Sequence, residues 1–263
     1  MSSGRRGALV EVDDLSKVYG SGADAVAAIA DLTFAIEPGE LVCVVGPSGC
    51  GKTTLLKCVA GLLTATSGSV RLGGERVERP PEGLALVFQD YSRSLLPWLS
   101  VRGNVALPLR AQRIPRAERD RLTLEALRAV GLDEFADRHP WQLSGGMQQR
   151  AAIARALAYR PGVLLMDEPF ASLDAQARAG LEDLLLEVWE SAGVTVLFVT
   201  HDVDEAVYLG DRILVLTPRP ARIGEVVRVD LPRPRDQLTT RGSREFAEIR
   251  THVWRLVKGE VEP

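Results

Sequence analysis

A chain of 263 residues, 46% apolar and 25% charged, can bury an ordinary globular core. Its formal net charge of −3 makes no electrostatic case for nucleic acid as a partner. It has no apolar run long enough to cross a membrane, and residues 1–6 lack the apolar stretch of a secretory signal. Cys43, Cys50 and Cys58 are odd in number and form no C-x-x-C pair, so reduced thiols are expected rather than a disulfide framework or a zinc site.

Residues 9–12 alternate as a strand does and lead into residues 15–20. Residues 24–36 read as strand–turn–strand, closed by the turn signal Glu37-Pro38-Gly39-Glu40. These N-terminal strands are expected to pair antiparallel. Residues 41–45 are a continuous apolar run, as a buried parallel strand should be. A helix is expected over 54–60, stopping at Gly61. A turn follows at 66–69, a short strand at 70–72, and a buried strand at 85–88 that ends at Gln89. Helical patterns then occupy 101–110, 116–130 and 133–138, punctuated by Pro108, Pro115 and Pro140. They predict a helical subdomain inserted at about 90–158. Strand character returns at 163–167, 194–200 and 213–216, with a helix from about 176 to 191 that Gly193 ends. Strands alternating with helices imply a parallel sheet with right-handed crossovers. Residues 218–235 are rich in Pro and Arg. An amphipathic helix then carries Phe246, Ile249, Val253, Trp254 and Val257 on one side. The expected organisation is α/β: a P-loop core sheet of RecA-like type, an antiparallel N-terminal β-subdomain and the inserted helices. The main domain covers 8–240, and the C-terminal helix lies within 241–263.

Gly46-Pro47-Ser48-Gly49-Cys50-Gly51-Lys52-Thr53 is a complete G-x-x-x-x-G-K-[ST] loop between that apolar strand and a helix, the setting the motif requires. Its glycines let successive N–H groups turn inward as an anion nest, and the helix start near Lys52 adds a positive dipole end. Lys52 is expected to reach the β- and γ-phosphates of a nucleoside triphosphate, and the Thr53 hydroxyl to bind Mg²⁺. The whole loop, with Thr54 after it, is expected to contact the nucleotide.

Residues 163–167 are four apolar residues ending in Asp167, followed by Glu168-Pro169. A buried strand delivering a carboxylate to its carboxyl end is the Walker B arrangement. Two adjacent acids leave a strand end in different directions, so Asp167 can hold Mg²⁺ while Glu168 polarises the attacking water. Leu143-Ser144-Gly145-Gly146-Met147-Gln148-Gln149-Arg150 places a capping serine and two bare glycines at a helix start. That makes a second phosphate-binding surface through Ser144, Gly145 and Gly146. One triphosphate does not need two such surfaces, so two chains head to tail are expected, the Ser144 loop of each closing on the nucleotide of the other.

With these motifs in order, the sequence resembles the ATPase subunit of an ATP-binding cassette (ABC) transporter over nearly its whole length. The resemblance makes Tyr19 the aromatic that stacks on adenine and Gln89 the glutamine that senses Mg²⁺ and the γ-phosphate. Residues 143–147 become the signature, with Met147 where most cassettes have Gln. Ser172-Leu173-Asp174 resembles the D-loop, with Asp174 at the nucleotide, and His201, after Phe198-Val199-Thr200, resembles the switch histidine. It implies Glu168, His201 and Gln89 as catalytic residues, Thr53, Gln89 and Asp167 at the metal, and ATP with Mg²⁺ as the ligands. It also implies a homodimer of cassettes on integral membrane permease subunits, an indirect link to a solute-binding protein, and a peripheral place at the cytoplasmic face of the membrane.

Residues 88–98, 219–223 and 230–235 resemble the nitrate/sulfonate/taurine importer branch, which implies uptake of a small anionic solute. An exporter ATPase is the alternative. A non-transport cassette would call for long coiled-coil insertions or two cassettes in one chain, and neither is present. Residues 89–98, with Tyr91, Leu95, Leu96 and Trp98, are expected to dock a short cytoplasmic helix of the membrane subunit. The competing expectation is that Leu95 and Leu96 simply pack two subdomains together.

Overall fold

The computed structural model describes residues 7–89, 94–171 and 173–259. Strands β1 (Val10–Tyr19) and β2 (Val26–Ile36) pair antiparallel across a 3₁₀ turn at Gly22–Asp24. Residues 24–36 therefore hold one long strand and not strand–turn–strand. The feature that reads as a turn is a bulge. Asp31 and Asp14 take φ of 50° and 46°, and the pairing register shifts around Asp14. Side chains on the facing strand accept the N–H groups that the disrupted ladder leaves over. The Asp31 N–H donates to Ser16 Oγ at 2.9 Å, and the Asp14 N–H donates to Thr33 Oγ1 at 3.0 Å.

Next come β3 (Leu41–Val45), buried throughout, and α1 (Lys52–Val59). Strands β4 (Ser67–Leu72) and β5 (Glu75–Arg76) complete a four-stranded antiparallel sheet in the order β2-β1-β4-β5. The expected turn at 66–69 is mostly the start of β4. Gly68 allows it, since a Cβ there would lie 2.3 Å from the Asp14 carbonyl oxygen.

Strand β6 (Leu84–Val87) is less buried than its composition suggests, with only Val87 fully inside, because it is an outer strand paired with one neighbour. Helices α2 (Val101–Ala111), α3 (Arg116–Ala129) and α4 (Gly145–Ala158) follow, sharing a core through Val105, Leu109, Leu122, Leu127 and Ile153. The helix expected at 133–138 is only a 3₁₀ turn, Asp133–Phe135. The chain then runs through β7 (Val163–Asp167), α5 (Ala175–Ala192), β8 (Thr195–Val199), α6 (Val203–Leu209), β9 (Arg212–Leu216), β10 (Ile223–Arg228) and α7 (Arg244–Lys258).

The central sheet has the order β10-β9-β3-β8-β7-β6, parallel except for β10. Alternate residues of β3 enter opposite cores: Leu41, Cys43 and Val45 face one, Val42 and Val44 the other. A strand covered on both faces needs no polar position, which is why the run is continuously apolar. All three cysteines are buried free thiols.

Besides the two-residue β5, strand β10 and helix α6 have no counterpart in the sequence reading. Strand β10 lies in the Pro- and Arg-rich stretch and alternates about a half-buried face. Helix α6 is short and starts at Asp202, whose side chain accepts from the N–H groups of Asp204 and Glu205. The carboxyl end of α6 is capped by the following stretch, where Arg235 donates to the carbonyls of Tyr208 at 2.6 Å and Gly210 at 2.9 Å. Helix α7 packs on α6, β9 and β10 through Phe246 and Val253. Trp254 does not share that side. It is 47% exposed under the Lys258 ammonium, because a residue next to Val253 is rotated about 100° around the helix.

Glu205, on α6, is 3% exposed and accepts a 2.6 Å hydrogen bond from Thr200 Oγ1. Burial pushes its carboxyl up from the ordinary 4.5 to about 7, against the Thr200 bond that lowers it. A raised carboxyl stabilises the fold fully below its unfolded value and loses that contribution as pH rises through its folded value. The stability of the chain relative to its Glu205→Gln variant should therefore fall between about pH 4.5 and about pH 7. Urea midpoints at pH 5 and pH 7.5 test this, and a difference equal at both pH values would refute it.

Candidate active site

Parallel neighbours β3, β8, β7 and β6 deliver their carboxyl ends to one edge of the sheet. That edge holds the Gly46–Thr53 loop, Asp167-Glu168, His201 and Gln89. Two loop glycines are required sterically. A Cβ on Gly46 would lie 2.9 Å from the Leu216 carbonyl oxygen, and one on Gly51, at φ 134°, would lie 2.8 Å from that of Ala28. Pro47 is half-buried, Ser48 and Gly49 are exposed at the mouth, and Cys50 is buried beneath.

Lys52 is 6% exposed, and its ammonium donates to the carbonyls of Gly46 at 2.8 Å and Pro47 at 3.1 Å. A buried cation is thus held by the loop's own dipoles, facing the ring of amides it helped to shape. Thr53 Oγ1 donates to Asp167 Oδ1 at 3.3 Å. Burial pushes the Asp167 carboxyl up, opposed by that bond. Among the described residues Asp167 has no ion-pair partner. Thr54 Oγ1 lies 3.3 Å from the Tyr19 hydroxyl, which ties Tyr19 at the end of β1 to the first turn of α1. The Tyr19 ring is 43% exposed, with the Lys17 ammonium 5.5 Å from its centre.

Glu168 takes φ 43°, unusual for a side-chain-bearing residue, while its N–H donates to the Val199 carbonyl at 2.8 Å. The kink turns the carboxylate away from the Asp167 direction. Its Oε2 accepts from Gln89 Nε2 at 3.3 Å and lies 2.9 Å from His201 Nδ1. Gln89, Glu168 and His201 thus converge at one oxygen, and Thr53 with Asp167 forms a second pair beside them.

Other sequence-chosen residues lie apart. Ser144 caps α4 by accepting from the Met147 N–H at 3.4 Å. Among the described residues, neither it nor Gly145 and Gly146 bonds to the loop of the same chain. Asp174 caps α5 by accepting from the Ala177 N–H at 2.9 Å, and a Cβ on Gly146 would sit 3.8 Å from Ala177. The α4 start and the Asp174 turn are therefore neighbours. Ser172 and residues 90–93, including Tyr91, lie outside the described residues.

The segment expected to dock a membrane partner divides. Leu95 is 2% exposed and packs in the core, whereas Trp98 is 70% exposed. Leu96 is half-buried, its N–H donating to the buried Asn104 at 2.7 Å. Sequence reasoning took Arg219 only as a mark of a family branch. The structure places its guanidinium 2.7 Å from the Gly49 carbonyl oxygen, on a turn whose Ala221 exchanges backbone hydrogen bonds with Ala28 and Ala30. No local pattern signals such a contact, because 170 residues separate the partners.

The family model described as ABC transporter matches residues 29–171. This chain belongs to the ABC transporter family. It is an ATP-binding subunit of that family, and its activity is ATP hydrolysis. It is 48% identical to an uncharacterised ABC transporter ATP-binding protein of Methanocaldococcus jannaschii, over 96% of this chain and 92% of that protein. It is 44% identical to a nitrate import ATP-binding protein of Synechococcus elongatus, over 92% of this chain and 88% of that protein. Among solved structures it resembles a dimeric ATP-binding cassette in a post-hydrolysis state with ADP and phosphate. The TM-score is 0.73 and the identity 33%, covering 84% of this chain and 98% of that one.

Lys52→Ala in this ATP-binding subunit should weaken ATP binding at least tenfold. The variant removes the buried ammonium that the Gly46 and Pro47 carbonyls hold. Calorimetric titration with ATP reads the effect, and unchanged affinity would refute it.

Proposed function

We propose that the chain powers import of a small anionic solute, such as nitrate, a sulfonate or taurine, through separate membrane subunits. It would do so as a head-to-tail homodimer at the cytoplasmic face. The convergence of Gln89 and His201 on the Glu168 carboxylate carries the mechanism, since it poises one base beside the phosphate loop. The nitrate-import relative supports the direction and solute class.

In this reading the adenine stacks on Tyr19, and the triphosphate lies in the Gly46–Thr53 loop and against Thr54. Lys52 turns from its carbonyls to the β- and γ-phosphates. Glu168 takes the proton of the water that attacks the γ-phosphorus, as the bond to the leaving ADP oxygen breaks. His201 holds that carboxylate in place, and Gln89 links it to β6. The Thr53 hydroxyl, the Asp167 carboxylate and the Gln89 amide oxygen are hard oxygen donors. Among the described residues Asp167 is also a buried carboxylate without a paired cation, so the set suits Mg²⁺. Bound there with the nucleotide, Mg²⁺ would offset the charge on the phosphate oxygens.

Ser144, Gly145 and Gly146 then face the γ-phosphate of the other chain's ATP, with Asp174 beside them. Binding joins the chains and hydrolysis releases them, a two-state change set by differential affinity. The Gln89 connection carries that change into the inserted helices. The exposed Trp98 is the anchor for the membrane subunit, and Leu95 belongs to the core.

Glu168→Gln should bind ATP normally, lose roughly 10²–10⁴-fold in turnover and accumulate as a dimer on gel filtration with ATP. Turnover within about threefold of the parent chain would remove Glu168 from the role of base. Trp98→Ala should leave the melting temperature and basal ATPase unchanged while abolishing co-purification with the membrane subunit. Retention of the complex would place docking elsewhere.

A further inference from the structure

We infer that Arg178 is a positioning residue that ties the Asp174 turn to the His201 turn, so that each ATP site of the dimer registers the state of the other. The inference rests on the head-to-tail reading. Arg178 lies one helical turn beyond the Asp174 cap of α5, and its guanidinium makes two hydrogen bonds and one ion-pair approach on two elements. Nη2 donates to the Leu173 carbonyl at 3.3 Å, Nη1 donates to Asp202 Oδ2 at 2.9 Å, and Nε stands 3.4 Å from Glu205 Oε1. The Arg178 and Asp202 side chains are only 30% and 28% exposed, so solvent screens them less than a surface pair.

Asp202 divides its carboxylate between two tasks. Oδ1 accepts from the Asp204 N–H at 2.9 Å and caps α6, while Oδ2 takes Arg178. The Asp202 N–H donates to Thr200 Oγ1 at 3.0 Å. His201 is therefore flanked by two anchored residues, and its ring lies 2.9 Å from the Glu168 carboxylate. At the other end, Arg178 grips the carbonyl immediately before Asp174, and the Asp174 helix runs beside the α4 start, where a Cβ added to Gly146 would come 3.8 Å from Ala177. A continuous run of bonds thus joins Glu168, His201, Asp202, Arg178 and the Asp174 turn, which neighbours the Ser144 loop. Glu168 serves the chain's own ATP, and the Ser144 loop serves the partner's. A planar guanidinium with several fixed donors can hold three acceptors at once, which an ammonium does in no fixed geometry.

The test uses the full chain and follows ATPase rate against ATP concentration. Arg178→Met keeps the aliphatic stem and removes the donors. Asp202→Asn keeps the Oδ1 acceptor for the α6 cap and removes the charge. Each should lower kcat about tenfold and bring the Hill coefficient toward 1, with ATP affinity of the monomer and the melting temperature nearly unchanged. The double variant should be no worse than either single one, because both cut the same link. Arg178→Lys should restore part of the cooperativity. A Hill coefficient unchanged in both single variants overturns the inference, as does a rate loss that only follows a fall in melting temperature. Gel filtration of Glu168→Gln with ATP separates this from failure of the dimer reading. If no dimer forms, both readings fall; if it forms and Arg178→Met keeps its cooperativity, only this one falls.

Discussion

The peptide N–H of Glu168 bonded to the Val199 carbonyl is the contact on which the site's geometry depends. It closes the β7–β8 ladder at the Asp167–Val199 pair, and immediately after it Glu168 takes φ 43°. The backbone turns there, and the two successive carboxylates stay at one edge of the sheet on different neighbours, Asp167 beside Thr53 and Glu168 beside Gln89 and His201. Without that turn both acids would follow the alternation of a strand and point to opposite faces of the sheet. The local strain is held by a sheet buried on both sides, whose strands cannot shift register without exposing an apolar face.

The charges around the site follow the same order. Lys52 is buried but satisfied by loop carbonyls, so the loop keeps its shape with its cation already inside. Among the described residues Asp167 is buried without an ion-pair partner, and its desolvation raises the value of any positive charge brought to it. Arg219 steadies the outer turn of the loop from a segment far along the chain. In the proposed reading, these donors and acceptors receive a phosphate chain and a hard cation.

Polar capping organises the elements around this edge. Ser144, Asp174 and Asp202 each accept an N–H at the start of a helix, and Arg235 covers carbonyls at the end of one. Each N-terminal cap satisfies N–H groups that its helix leaves free and so fixes where the helix begins. Asp202 shows how a cap also becomes a link, since its second oxygen is free to hold Arg178.

The sequence by itself determined everything that depends on near neighbours along the chain. The apolar run at Leu41–Val45, the Gly46–Thr53 loop and the β7 acid pair are legible because strand period, glycine freedom and carboxylate placement act within a few residues. The same locality explains the errors. Residues 24–36 look like strand–turn–strand, and only pairing with β1 shows one strand with a bulge, where the Asp31 N–H donates to Ser16 Oγ on the facing strand. Composition hides β10 because Pro and Arg flank a strand whose partner, β9, secures it. Tertiary structure alone decided that Gln89 and His201 meet at Glu168, that Leu95 is core while Trp98 is exposed, and that Arg178 and Arg219 reach Asp202 and Gly49. Those facts rest on distances between segments brought together by sheet order and burial, and neither quantity is carried by the local periodicity of a chain.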